Sequence, residues 1–309
     1  MSTADIGLLQ FTPLYFTRVW GGRSLARVFG RALPDDQPYG EAWELVDRAD
    51  AQSLVADGPL AGQSLHQLWT TRRREIFGGA LAASTSPRFP LLIKILDCRD
   101  DLSVQVHPPV HKADALGGEP KTEMWFMAHA EPNARIYAGL RRGASRESFS
   151  QALAAGTVAE EVHAIPVHTG ESLFVPSGRV HALGGGLVVY EIQQNSDTTY
   201  RVFDWNRTGL DGRPRDLHID QSMASIDFTD VEPSVRASAG GVLADCPYFT
   251  VSRVYTGHRA RASAFRMIVP ISEVLWNDKT LAPGQLTCAP ASFVGPEPSG
   301  EWLEIEAHS

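Results

Sequence analysis

"ESLFVPSGRVHALGGGLVVYEIQQNS", residues 171–196, decides the fold. It reads as short strands broken by Pro176-Ser177-Gly178 and by the triplet Gly184-Gly185-Gly186. Short strands joined by turn signals are the pattern of a β-barrel or jelly roll. Upstream, "FPLLIKILD" (89–97) is a near-continuous apolar run, followed by the strand-like "LSVQVH" (102–107), "TEMWFMAHA" (122–130) and "ARIYAGL" (134–140). In "DLSVQVHPPV" (101–110), strand alternation places Ser103, Gln105 and His107 on one face and Leu102, Val104 and Val106 on the other. Hydrocarbon on one side, with a hydroxyl, an amide and an imidazole on the other, suits a strand lining a polar pocket.

Two segments carry helical spacing. In "SLHQLWTTRRREIF" (64–77), Leu65, Leu68, Trp69, Arg72 and Ile76 recur on one face behind a capping Ser64. "SRESFSQALAAG" (145–156) is amphipathic and ends at Gly156, and the helical region extends to 161. The expected architecture is mainly β, with a small helical portion. A polar, small-residue passage, "DVEPSVRASAGGVL" (230–243), separates the two expected domains, 1–235 and 236–309. Beyond it, "YFTVSRVYTG", "SAFRMIVPI" and "QLTCAPASFVG" read as strands of a smaller C-terminal β-domain. That block holds only His258 and His308 and has no metal-ligand spacing.

A formal net charge of -8 argues against general nucleic-acid binding, which needs a basic footprint, but leaves room for a small anionic substrate. The N-terminus "MSTADIGLLQ" has no signal-peptide pattern, and no run approaches the roughly 20 apolar residues of a membrane span. Cys98, Cys246 and Cys288 are far apart and form no CxxC pattern, so reduced thiols in a cytoplasmic protein are expected.

The chemistry concentrates on successive strands. "KTEMWF" places Lys121, Glu123 and Trp125 on one face, and "PSGRVHALG" sets His181 just after a turn. With Gln105 and His107 these supply two imidazoles, a carboxylate and an amide. Such a set suits Zn²⁺ with positions left for water or substrate, and equally Fe²⁺ or Mn²⁺. Spacing alone does not choose, and a lone Q-x-H or K-x-E is more often a satisfied core or surface pair. In "YEIQQNSDTTYRVFDWNR" (190–207), Glu191 and Gln193 alternate on one face and Asp197 opens a polar turn. Arg201, with Arg207 and Lys121, could supply positive charge for an anion.

These segments resemble the type I phosphomannose isomerases, in the short bacterial form. The resemblance runs through "RVWGG" (18–22), "YGEAWELVD" (39–47), "PLLIKILDCRDDLSVQVHP" (90–108), "KTEMWF" (121–126), "VPSGRVHALGGG" (175–186) and "EIQQNSDTTYRVFDW" (191–205). It implies a metal-dependent cupin, usually zinc-bound, with a jelly-roll catalytic domain. The family's metal ligands fall on Gln105, His107, Glu123 and His181, its active-site lysine and arginine on Lys121 and Arg201, and an aspartate on Asp197. Ser103 matches a serine of the family linked to the substrate phosphate. Two positions depart from the family: Pro109-Val110 replaces acidic residues, and Arg179 stands in the turn where small residues are usual.

The resemblance implies interconversion of mannose 6-phosphate and fructose 6-phosphate, by proton transfer between carbons 1 and 2 through an enediol. Lys121, Asp197 and a metal-bound water are the candidates for proton transfer, Arg201 stabilises the enediolate, and Glu191 orients a hydroxyl. Ser103, Lys121 and Arg207 are the expected phosphate contacts. Two competing readings share the ligand set: an Fe²⁺-dependent cupin oxygenase, and a non-catalytic sugar-phosphate-binding cupin.

Overall fold

The computed structural model describes residues 6–237, 239–257 and 264–308, so His258 lies outside the described residues. The chain forms two compact units, Tyr15–Glu41 with Leu96–Ser238, and Met1–Leu14 with Ala42–Ile95 and Ala239–Ser309. Residues 42–95 group with the C-terminal residues. Among the described residues no helix is long and apolar enough to cross a membrane.

The two sheets that carry the sequence motifs are built from eleven strands. In chain order they are β1 (Leu14–Gly22), β2 (Tyr39–Leu45), β3 (Leu91–Cys98), β4 (Val104–Val106), β5 (Glu123–Ala130), β6 (Arg135–Leu140), β7 (Val162–Pro166), β8 (Ser172–Val175), β9 (His181–Leu183), β10 (Leu187–Gln194) and β11 (Tyr200–Phe203). The division into units falls within β2 and β3. One sheet is antiparallel with order β7-β6-β9-β4-β11, and the other has order β8-β5-β10-β3-β2-β1. The mainly-β, cupin-type expectation holds.

The apolar residues sort accordingly. One cluster joins Trp125, Met127 and Val189 of the six-stranded sheet to Ile136, Ala138 and Leu183 of the five-stranded one. A second cluster covers the other face of the five-stranded sheet, where Val104, Val106, Ala182 and Val202 meet Phe149 and Ala152. Phe149 and Ala152 come from helix Arg146–Ala155, capped by Ser145 and ended by Gly156 at φ +73°. Full burial of a Phe side chain contributes about 1.5–3 kcal/mol. Leu102 departs from the expected face: it joins the first cluster, not Val104 and Val106, because the strand begins only at Val104.

In the other unit, an antiparallel sheet runs Leu9–Gln10, Thr287–Ala289, Arg266–Pro270, Glu301–Ala307, Phe249–Tyr255, Gly241–Asp245. Trp69, Phe77, Phe89 and Phe265 stack edge and face there, with ring centroids 4.8–6.0 Å apart. The expected 64–77 helix is two pieces, Leu65–Thr71 and Arg73–Ile76, broken at Arg72 where φ is -131°. At the break the Trp69 carbonyl accepts from the Arg73 guanidinium at 2.9 Å. Ser64 caps the first piece through a reciprocal pair with Gln67.

Candidate metal centre and active site

Strand register assembles the site. His181 on β9 stands opposite Gln105 on β4, and Gln105 stands opposite Arg201 on β11, so three neighbouring strands carry them in one row. On the other sheet Glu123 stands opposite Gln193, and Trp125 opposite Glu191. Directly opposed residues in antiparallel pairs share a face. His107 follows the end of β4, and Lys121 precedes β5. The Pro176-Ser177-Gly178 turn needs Gly178 at φ +94°, and its N–H donates to the His107 carbonyl at 2.9 Å.

Two backbone carbonyls set the imidazoles. His107 Nδ1 lies 2.9 Å from the Thr198 carbonyl oxygen, and His181 Nδ1 lies 2.8 Å from that of Arg179. A carbonyl oxygen can only accept, so each ring carries its proton on Nδ1 and leaves Nε2 bare. His107 Nε2 sits 3.6 Å from Glu123 Oε2, and His181 Nε2 sits 3.6 Å from Glu123 Oε1. Acceptor therefore faces acceptor. Among the described residues His107 Nε2 and Glu123 Oε1 are buried without a hydrogen-bond partner, and Glu123 Oε2 has the Lys121 ammonium beside it. Buried acceptors are costly to leave unpaired, and a cation placed among them would satisfy all of them at once. One ligand atom from each of His107, Glu123 and His181 lies within 4.8 Å of the others. Gln105 Nε2 is 3.3 Å from His181 Nε2, so the end of that amide borders the same group.

The charges fit this arrangement. Burial, then the Lys121 charge, lowers His107 to about 3, and burial also lowers His181. Burial opposes the Lys121 charge, but the Glu123 and Glu191 carboxylates outweigh it and raise that ammonium. Lys121 Nζ lies 3.0 Å from Glu123 Oε2 and 3.8 Å from Glu191 Oε1. Burial likewise opposes the Glu123 charge, and Lys121 overrides it, holding that carboxyl well below the usual range. Trp125 Nε1 donates to Glu191 Oε2 at 3.3 Å, so Lys121, Glu123 and Trp125 share a face as the alternation predicted.

The remaining predicted residues are dispersed around this group. Asp197 is exposed in the turn after β10, and its charge raises Lys121. Arg201 donates through one terminal nitrogen to the Asp216 carbonyl at 2.7 Å, its backbone N–H donates to His218 Nδ1, and its Nε is buried without a hydrogen-bond partner among the described residues. Ser103 is buried just before β4. Arg207 is held by Asp204 and by the Asp101 carbonyl, not by the His–Glu–His group. Asp204 also binds Arg215, which the sequence reading did not single out. Arg179, unusual for its turn, makes a two-pronged pair with Asp230 at 2.7 Å and donates to the Phe174 carbonyl. Gln193 was visible only as the partner of Glu191 in strand alternation. The carbonyls of Thr198 and Arg179 have no side-chain signature.

Residues 8–119 match the family model described as phosphomannose isomerase type I, catalytic domain. Gln105 and His107 fall inside that match; Lys121, Glu123 and His181 lie beyond it. The chain is 35% identical over 308 residues to a probable mannose-6-phosphate isomerase of Bacillus subtilis, GmuF, covering 95% of each chain. It is 39% identical over 241 residues to a mannose-6-phosphate isomerase of Streptococcus mutans, covering 76% of this chain and 74% of that one. The crystal structure of the mannose 6-phosphate isomerase from Bacillus subtilis matches with a TM-score of 0.83 at 29% identity, over 97% of this chain and 99% of that one. A zinc-bound mannose 6-phosphate isomerase structure shares the fold, with a TM-score of 0.75 at 16% identity, over 99% of this chain and 100% of the other.

Proposed function

This chain belongs to the type I phosphomannose isomerase family, and from that membership we propose which of its residues do the work. The activity is the metal-dependent interconversion of mannose 6-phosphate and fructose 6-phosphate, by proton transfer between carbons 1 and 2 through an enediol. The single observation that carries the site assignment is the pair of bare Nε2 atoms, each 3.6 Å from one oxygen of the buried Glu123 carboxylate. His107, Glu123, His181 and Gln105 are the proposed ligands of one Zn²⁺, with the Gln105 amide turned so that its oxygen faces inward. When bound, such a cation supplies Lewis-acid polarisation of the sugar oxygens at carbons 1 and 2.

The other roles belong to side chains around the row. Arg201, beside Gln105 in register, brings a guanidinium to the negative charge that develops on the enediolate. Lys121 and Asp197 are the proposed proton-transfer groups, each of which can contribute about 10²–10⁴-fold. Glu191, with one oxygen held by Trp125, orients a sugar hydroxyl. Ser103 and Arg207 are the proposed phosphate partners with Lys121. Asp204 and Asp101 use only part of the five N–H groups of Arg207, which leaves donors for a phosphate oxygen.

The test is turnover of mannose 6-phosphate, detected as fructose 6-phosphate in a coupled assay, on chelator-stripped protein before and after Zn²⁺ is returned. Activity should return with the metal in the wild type and stay absent in His107→Ala. Turnover by His107→Ala at the wild-type rate would remove His107 from the ligand set. No turnover with any divalent metal would overturn the isomerase assignment.

A further inference from the structure

We infer that Gln193 is a positioning residue of the metal centre: its side-chain amide pins the 194–198 turn, and that turn holds the carbonyl that orients His107. The inference rests on reading His107, Glu123 and His181 as metal ligands.

β10 ends at Gln194, and the chain turns before β11 begins at Tyr200. Gln193 is fully buried, and its Nε2 donates to two carbonyls of this turn, Gln194 at 2.9 Å and Ser196 at 2.6 Å. Both amide hydrogens are spent on the turn. A second tie runs to the segment before β5: Ser196 Oγ donates to the Glu119 carbonyl at 3.3 Å, and Glu119 N–H donates to Thr198 Oγ1 at 2.9 Å. Thr198 N–H donates to Ser196 Oγ at 3.2 Å. The Thr198 carbonyl, fixed at the end of this chain of contacts, accepts the His107 Nδ1 proton at 2.9 Å. That bond keeps His107 Nε2 bare and facing Glu123. Asp197 sits in the same turn, so one amide places both groups.

The other end of the amide says what Gln193 is not. Its Oε1 is buried and has no hydrogen-bond partner among the described residues. With the nitrogen tied to the turn, that oxygen points away from it, on the residue that stands opposite Glu123. A residue present only to fill the core would be apolar, whereas both donors of Gln193 go to carbonyls of the turn.

Gln193→Met removes both donors at similar length, and Gln193→Glu keeps the shape but sets oxygen against two carbonyl oxygens. The full-length variants and wild type, stripped by chelator, are compared by Zn²⁺ affinity against a chromophoric competitor and by the Co²⁺ absorption spectrum. Loss of an outer contact to a ligand histidine costs about 10–100-fold in metal affinity; Gln193→Met loosens the turn that makes that contact, so a fall of up to about tenfold is expected, with Gln193→Glu weaker still. The Co²⁺ bands should shift in both, and kcat should fall more than KM rises. Wild-type affinity and spectrum in both variants, with only a lower thermal midpoint, would overturn the proposal. If the stripped variants do not fold, the rise of the midpoint with added Zn²⁺ reports the affinity instead. Variants that stay unfolded at saturating Zn²⁺ would assign Gln193 to folding alone and also overturn it. A wild type that binds no stoichiometric Zn²⁺ would defeat the metal-site reading itself, a separate outcome.

Discussion

Glu123 and Glu304 are both buried glutamates on antiparallel strands, in different units of the chain, and their neighbours are of opposite kinds. Glu304 Oε1 accepts from Arg266 Nε at 2.7 Å, and its Oε2 accepts from Arg266 at 3.1 Å and from Trp302 Nε1 at 2.7 Å. Arg266 in turn lies over the Trp276 ring and binds Glu297. That network closes on itself. Glu123 has one cation nearby, Lys121, and faces two bare imidazole nitrogens. Burial of a carboxylate therefore says little about chemistry. The balance of donors and acceptors around it separates a structural ion pair from a site made to receive something else.

The largest expected effect tests the open side of the comparison. Glu123→Gln removes the proposed anionic ligand; losing a metal worth several kcal/mol to the transition state should lower kcat/KM by about a thousandfold or more. Zn²⁺ binding measured by titration should fall with it. Retained stoichiometric Zn²⁺ and near-normal turnover would erase the distinction. Glu304→Ala tests the closed side. It leaves Trp302 Nε1 without its acceptor and removes the Arg266 pair, at a cost of about 3–5 kcal/mol in urea unfolding. Zn²⁺ affinity and turnover per folded molecule should be unchanged, and a change in either would give Glu304 a functional role.

The smallest effect concerns Asp204, a carboxylate whose donors come from Arg207 and Arg215. Burial raises its pKa, but the Arg215 and Arg207 pairs outweigh that and hold it below the usual value. The unfolded chain takes up this proton near pH ~3.9 and the native state only below that, so the unfolded state binds more protons in between. The stabilisation is thus present above pH ~3.9 and lost as pH falls through the native value. Urea midpoints of wild type should drop more steeply than those of Asp204→Asn as pH falls below about 4. Parallel slopes would show that the pair contributes nothing to acid stability.

Several elements were legible because their signals are local. The alternation in 102–107 and 122–130, the capping Ser64 and Ser145, and the turn before His181 each operate over a few residues. Gln105, His107, Glu123 and His181 could be selected because each sits on or beside a strand whose period reveals its face. Other features depended on partners far away in sequence. Leu9–Gln10 has no strand signal of its own and pairs with Thr287–Ala289 at the opposite end of the chain. The helix break at Arg72 and the face taken by Leu102 depend on where neighbouring segments pack.

The sequence by itself determined the strand-rich class and the residue types of the proposed metal group, because side-chain period and turn chemistry act at short range. Tertiary structure alone decided which atoms face inward. The Nε2 atoms are bare because the Thr198 and Arg179 carbonyls take the Nδ1 protons, and Gln193 secures the Thr198 turn. Every residue has a backbone carbonyl, so nothing in the residue types marks those two. Only strand register and the path of the loops bring them to the imidazoles.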